Sequence, residues 1–145
     1  MAGFTYCGGP YRGGTAKPSS AFSRGGLIML DSTSSLSGAP ALPAASQIFA
    51  VAEASSLESL DDQVPYTEVL PGTIFWSDLS SGAVSDYTRG LNRDVILLGG
   101  NWYTTSSANT PSVRIDMRGD FSETIDSGVS RIRVQFDPNA LLYPT

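Results

Sequence analysis

Two stretches near the C-terminal end alternate strictly between apolar and polar residues: "SVRIDMRGDF" and "VSRIRVQF". In the first, Val113, Ile115 and Met117 share one face and Arg114, Asp116 and Arg118 the other. In the second, Ile132, Val134 and Phe136 oppose Arg131, Arg133 and Gln135. A side-chain period of two is that of a β-strand, and an apolar row backed by a charged one marks a strand with one buried and one wet face.

The rest of the chain carries the same signal in shorter pieces. "LIML" reads as a buried strand, closed by the Ser-rich "DSTSSLSGAPALPAAS". "QIFAVAEA" places Ile48 and Ala50 on one face and Phe49 and Val51 on the other, which suits a strand covered on both sides. "VPYTEVLPGTIFWSD" reads as two strands about a turn in which Pro71 presets φ and Gly72 takes a positive φ. "RDVILLGG" is a further strand closed by glycines. Only "SSLESLDD", with Ser55 three residues ahead of Glu58, has the spacing of a helix capping box.

Short strands, frequent Gly and Pro and almost no helical periodicity predict an all-β fold. The expected architecture is a single small β-barrel or β-sandwich domain of about eight short strands. At 145 residues the chain fits one domain, able to bury roughly two thirds of its unfolded surface without a disulfide or metal. The predicted organisation is a flexible, Gly-rich extended N-terminal arm over 1–24, a β domain over 25–138 and a C-terminal tail over 139–145. The arm, which contains "GFTYCGGPYRGG", holds too little apolar surface to offset its own ordering entropy. The tail closes "DPNALLYPT" and is apolar enough to dock.

The residue inventory removes much chemistry. The chain has no histidine, so Ser-His-Asp and Cys-His catalysis are excluded, together with the commonest zinc ligand. The single cysteine, Cys7, has no base beside it in sequence and cannot form an internal disulfide. Neighbouring Asp61 and Asp62 point to opposite faces of an extended chain. Neither "CGGPYRGG" nor "LLGGNWY" has the spacing of a phosphate-binding loop, and Asp116 and Asp120 do not make a calcium loop. "RGD" at 118–120 reads most simply as a turn. The expectations are no enzyme activity, no cofactor and no metal. There is no basic n-region followed by an apolar one, and no apolar run approaches the ~20 residues of a membrane helix, so no membrane partner is expected.

Charge is unevenly placed. Residues 1 to 26 hold Arg12, Lys17 and Arg24 and no acid, whereas residues 27 to 145 hold six arginines against 14 acids. An acidic body argues against a nucleic-acid groove. A basic arm on such a body either reaches an acidic surface on a neighbour or has no significance. Of the aromatic residues, Trp76 and Phe136 read as core. Trp102 reads either as packing at the rim or, with Tyr103, as an exposed sugar-binding loop.

One region resembles a known family. "GGLIMLDSTSSLSGAPALPAASQIFAVAEASS" followed by "VPYTEVLPGTIFWSDLSSGAV" is similar to the β-rich core of tailed-phage capsid decoration (cement) proteins. The pattern is a Gly-led strand, a small-residue loop and a strand of the type I-x-A-V-A. After a spacer come V-P-Y-T-E-V, a Gly turn and I-F-W-S-D, the whole covering roughly residues 25 to 84. The resemblance implies a non-enzymatic virion protein on the outer capsid surface, made in the host cytoplasm and often trimeric, that clamps adjacent major capsid subunits. With such a role, the arm supplies the expected contacts to capsid or to a sister copy: Phe4, Tyr6, Tyr11 and Phe22 as anchors, and Arg12, Lys17 and Arg24 as charge partners. The competing expectations are a carbohydrate- or receptor-binding module of a tail or fibre, using Trp102 and Tyr103, and a small hydrolase working through carboxylates.

Overall fold

The computed structural model describes residues 3–30, 35–40, 48–56, 63–80, 84–116, 125–126 and 131–138. The fold is all-β and sandwich-like. The described residues contain thirteen strands, more than the sequence announces, because several are only two or three residues long.

The first sheet runs in the spatial order β1 (Phe4–Gly8), β7 (Ile74–Asp78), β13 (Arg131–Phe136), β11 (Val113–Ile115) and β8 (Asn92–Arg93). All pairs are antiparallel, and β12 (Ile125–Asp126) also pairs with β13. The second runs β2 (Gly13–Ala16), β6 (Val64–Glu68), β5 (Ala50–Ala52), β3 (Leu27–Leu30) and β4 (Leu36–Gly38), again antiparallel throughout. A separate hairpin joins β9 (Val95–Leu98) to β10 (Asn101–Thr104).

The second sheet curls. The chain leaving β2 at one edge makes a parallel bridge from Pro18 to Leu36 of β4 at the other. There Leu36 N–H donates to Lys17 C=O at 2.7 Å and Ser19 N–H to Leu36 C=O at 2.6 Å. The seam is one bridge long, so the sheet wraps an interior without becoming a barrel. That interior holds Ile28, Leu36, Phe49, Ala50, Ala52 and Val64. The main core lies between the two sheets and under the hairpin: Phe4, Phe75, Ile132, Val134 and Phe136 meet Leu27, Val51 and Val69, with Val95 and Trp102 closing one side. The two-sided apolarity of "QIFAVAEA" thus has its reason, but the face pairs expected from alternation are corrected: Ile48 and Val51 face one core and Phe49, Ala50 and Ala52 the other, because strict alternation holds only from Ala50, where β5 begins.

The alternation in β13 is realised as read, with Ile132, Val134 and Phe136 buried and the residues between them half-exposed. Asp116 departs from the expectation of a wet face. It is 1% exposed and accepts a hydrogen bond from Gln135 Nε2 at 3.0 Å, with Arg133 Nε 3.8 Å away. The Pro71-Gly72 turn forms with Gly72 at φ 87°, but it carries the chain from the second sheet into the first instead of joining neighbours in one sheet.

The expected arm is corrected. Its residues supply β1 at the edge of the first sheet and β2 at the edge of the second, and Phe4 is 2% exposed. The glycines that disguise these strands permit close approach. Gly9 has φ 84°, and a Cβ on it would stand 2.5 Å from the Gly72 carbonyl oxygen. Thr73 Oγ1 donates to Pro10 C=O at 2.6 Å in the same corner. The capping box at 55–58, Asp61 and Asp62, the RGD tripeptide and the tail 139–145 lie wholly or mainly outside the described residues.

Beside the hairpin, the Asp94 carboxylate gathers the following loop. It accepts from Ser107 Oγ at 2.8 Å, Asn109 N–H at 3.0 Å and Thr110 N–H at 2.8 Å, and Asp94 is 6% exposed.

Two outcomes follow for stability. Phe4→Ala is expected to cost about 3–5 kcal/mol in urea unfolding, the usual loss for a buried phenylalanine; a change near zero would restore the free-arm view. Asp94→Ala is expected to cost about 1–3 kcal/mol, because it removes the buried carboxylate that accepts from three loop donors. Early loss of hydrogen-exchange protection at Asn109 and Thr110 is its signature.

Candidate interaction surface

The seven arm residues expected to make contacts divide by their strand register. Phe4 and Tyr6 alternate with Thr5 and turn inward. The Phe4 ring lies 5.2 Å from that of Phe136, tilted by 57°. Tyr6 meets Phe75 edge-on at 6.3 Å, and its hydroxyl donates to Gly9 C=O at 2.7 Å. Phe22 packs against the interior of the curled sheet. Its backbone N–H and C=O are both held by Ser56, at 3.1 Å in each direction. These three are structural.

The other four face outward. Tyr11 is 62% exposed and rests edge-on against Tyr6, with centroids 5.2 Å apart. Arg12 beside it pairs with Glu68 at 3.5 Å. As an exposed ion pair this contributes at most about 1 kcal/mol, so it orients the guanidinium more than it holds the fold. Lys17 is exposed on the seam of the curled sheet. Arg24 is exposed at the lip of a cleft of about 440 Å³, which Thr5, Glu53, Trp76, Asp78 and Arg131 also line. The structure brings Tyr6, Tyr11 and Arg12 together at the β1–β2 connection and sets Arg24 apart with Trp76.

Trp76 is the site residue that the sequence reading misplaced. It was expected in the core, yet it is half-buried on the outer face of the first sheet, directly across from Thr5 on one side and Arg133 on the other. Arg131 and Arg133 lie over its ring, 5.0 and 5.8 Å from the centroid. Alternation held the clue: with Phe75 turned inward, Trp76 must turn outward and meet the arginines of "RIRVQF". Guanidiniums held over an indole have fewer orientations to lose on binding, and Trp and Arg are residue types that carry much of the energy at protein interfaces.

Trp102 is 4% exposed in β10, so the exposed ring required of a sugar-binding loop is not present there. Among the described residues, no group of three or more His, Cys, Asp or Glu is placed to hold a metal, and no helix is long and apolar enough to cross a membrane. Comparison with protein-family models, with curated proteins and with solved structures finds no match to this chain.

The two arginines are expected to differ. Arg131→Ala removes a partly exposed cation–π contact and should cost about 0.5–1 kcal/mol. Arg133→Ala also deprives buried Asp116 of its cation and should cost about 2–3 kcal/mol, below the full cost of breaking a buried pair because Gln135 still donates. Equal losses in thermal unfolding would show that the ion pair adds nothing.

Proposed function

We propose that this chain is a non-enzymatic virion structural protein. It binds the outer surface of a phage capsid, with major capsid subunits as partner, and stabilises the shell by bridging neighbours, as a homotrimer. The observation that carries this reading is the order of strand motifs over residues 25 to 84 that resembles capsid decoration proteins. In space those motifs are β3, β5, β6 and β7, the strands that build the curled sheet and hand the chain to the first sheet.

The fixed position of residues 3–24 changes how such a protein would attach. Contact through this region does not come from a trailing segment. It comes from side chains already held in place: Tyr11 and Arg12 at the β1–β2 connection, Lys17 on the seam and Arg24 at its cleft. Little ordering entropy is then spent on binding, and several modest contacts combine when a trimer engages several sites at once.

The test is co-sedimentation of the purified chain with empty capsids of the phage that encodes it, followed by light scattering of the unbound chain. Saturable binding, and capsids that resist heat better when coated, are expected. The double variant Tyr11→Ala, Arg12→Ala should lower affinity about tenfold or more while costing no more than about 1–2 kcal/mol of stability, since it removes only an edge-on ring contact and an exposed ion pair. If the parent chain does not bind, the capsid reading fails; if the double variant binds as tightly as the parent, the attachment surface lies elsewhere.

A further inference from the structure

We propose that β9 is a self-association edge: two copies of this chain pair their β9 strands antiparallel about a twofold axis that passes at Ile96. The proposal does not depend on the capsid reading. A twofold contact is distinct from a threefold one, so where trimers form it links them in pairs.

The hairpin stands apart from the two larger sheets. Among the described residues β9 has one ladder partner, β10. On its far side β10 is tied to the body by the bridge from Leu79 to Thr104, where Ser80 N–H donates to Thr104 C=O at 3.2 Å. That leaves β9 as the outer strand of a two-stranded ribbon, an arrangement that is marginal until another strand is added. β9 reads Val-Ile-Leu-Leu and pairs with β10 in unbroken register. It therefore carries none of the charges, prolines or bulges that blunt an edge.

The turn determines which backbone groups point outward. Gly99 and Gly100 form a two-residue turn at φ 56° and 83°, which makes Leu98 and Asn101 a hydrogen-bonded pair. Such pairs alternate with pairs whose backbone groups face away from each other. Ile96 therefore bonds to Tyr103, while Val95 and Leu97 turn their N–H and C=O groups away from β10. A strand that joins this edge must offer the complementary sequence of donors and acceptors.

A second copy of β9 does so by symmetry. Val95 lies opposite Leu97 of the second copy, and Leu97 opposite its Val95, and each pair exchanges both of its N–H to C=O bonds. Ile96 then falls on the axis, opposite its own counterpart, in a pair without hydrogen bonds. An axis at Val95 or Leu97 would leave the other outward residue unmatched.

The side chains agree with this register. Val95 and Leu97 pack on the main core, which turns Ile96 and Leu98 to the opposite face, with Tyr103 directly across from Ile96. Ile96 and Tyr103 are half-buried there and Leu98 is 50% exposed. Pairing at the axis joins Tyr103 and Ile96 of both copies into one continuous row, the kind of cross-strand contact that stabilises a sheet. No residue from Val95 to Thr105 is charged, so two chains of net charge -5 meet here without opposing like charges. Two four-residue strands bury far less than the roughly 1,200 Å² of a stable interface, so the pairing is weak and reversible.

The experiment is cysteine cross-linking of the full chain in a Cys7→Ser background. Residues opposite each other in a pair without hydrogen bonds have Cα atoms about 4.5 Å apart, within disulfide reach. Ile96→Cys should therefore give a disulfide-linked dimer under mild oxidation. Leu98→Cys, more exposed but roughly 14 Å from its counterpart, should give about tenfold less. In the chain without added thiols, exchange protection of the Leu97 amide should rise with protein concentration up to about 1 mM, and Ile96→Lys should weaken that association about tenfold or more. The proposal is overturned if neither cysteine variant cross-links, or if Leu98→Cys does so as readily as Ile96→Cys. It is equally overturned if the Leu97 amide is equally protected at every dilution, since the chain itself would then cover β9, or if Ile96→Lys leaves the concentration dependence unchanged.

Discussion

Phe4, Phe75 and Phe136 stand near the beginning, middle and end of the chain, and their rings meet in one cluster, Phe136 lying 5.2 Å from Phe4 and 5.7 Å from Phe75. Each occupies an inward position on one of three adjacent strands, β1, β7 and β13. Much else depends on that contact. It fixes the edge strand onto the first sheet, which fixes where the Gly-rich segment must run and so where β2 joins the second sheet. Because the three rings are far apart in sequence, closing the cluster requires a large loss of chain entropy before any reward, as in other β topologies of high contact order. The glycines in the first 14 residues are the local accommodation: Gly9 allows β1 to end against the Gly72 turn without a clash.

Incorporating the opening segment in the body also decides the physics of recognition. A disordered arm would pay its ordering cost when it binds, whereas Tyr11, Arg12 and Arg24 are ordered by folding itself. Their presentation then depends on interior packing. Tyr11 rests on Tyr6, Tyr6 on Phe75, and Phe75 on Phe136. Charge and apolarity are kept apart on the surface as well. Contacts made by exposed arginines weaken as salt shortens the Debye length, while pairing along the uncharged β9 edge is insensitive to that screening.

How much of this could be read from the sequence depends on whether side chains report the strand. In β13 every second residue is apolar, and the face assignment survives intact. At Pro71-Gly72 the turn was legible, but not that it crosses between sheets, since local residues carry no record of which sheet each flanking strand joins. In β1 and β2 glycine removes the side chains that would display alternation, so two strands passed as an arm. Trp76 was misplaced for a related reason, while Trp102 takes the packed one of its two readings. Hydrophobicity favours burying both Trp76 and Trp102, but neighbouring residues in a strand cannot both face the same core. Phe75 takes the inward position beside Trp76, whereas in β10 Trp102 takes it and neighbouring Tyr103 turns the other way. Asp116 was misread because its partners, Gln135 and Arg133, come from another strand, and only the pairing of β11 with β13 brings them within reach.

The segment from Ala21 to Gly25 lies between two clefts. Phe22 and Ser23 line an apolar cleft beside the β9–β10 hairpin, while Arg24 and Gly25 line the polar one at Trp76. The segment is held on both sides. Ser56 binds Phe22 through backbone and hydroxyl, Gly25 N–H donates to Ala52 C=O at 2.7 Å, and Phe4 N–H donates to Gly25 C=O at 2.8 Å. It thus serves as a shared wall: widening either cleft by moving it would break hydrogen bonds that tie it to both sheets. Both clefts are therefore preformed. The strand-edge bond from Phe4 that helps hold this wall belongs to the residue whose ring closes the core, so the integrity of both surfaces rests on the packing of the first strand.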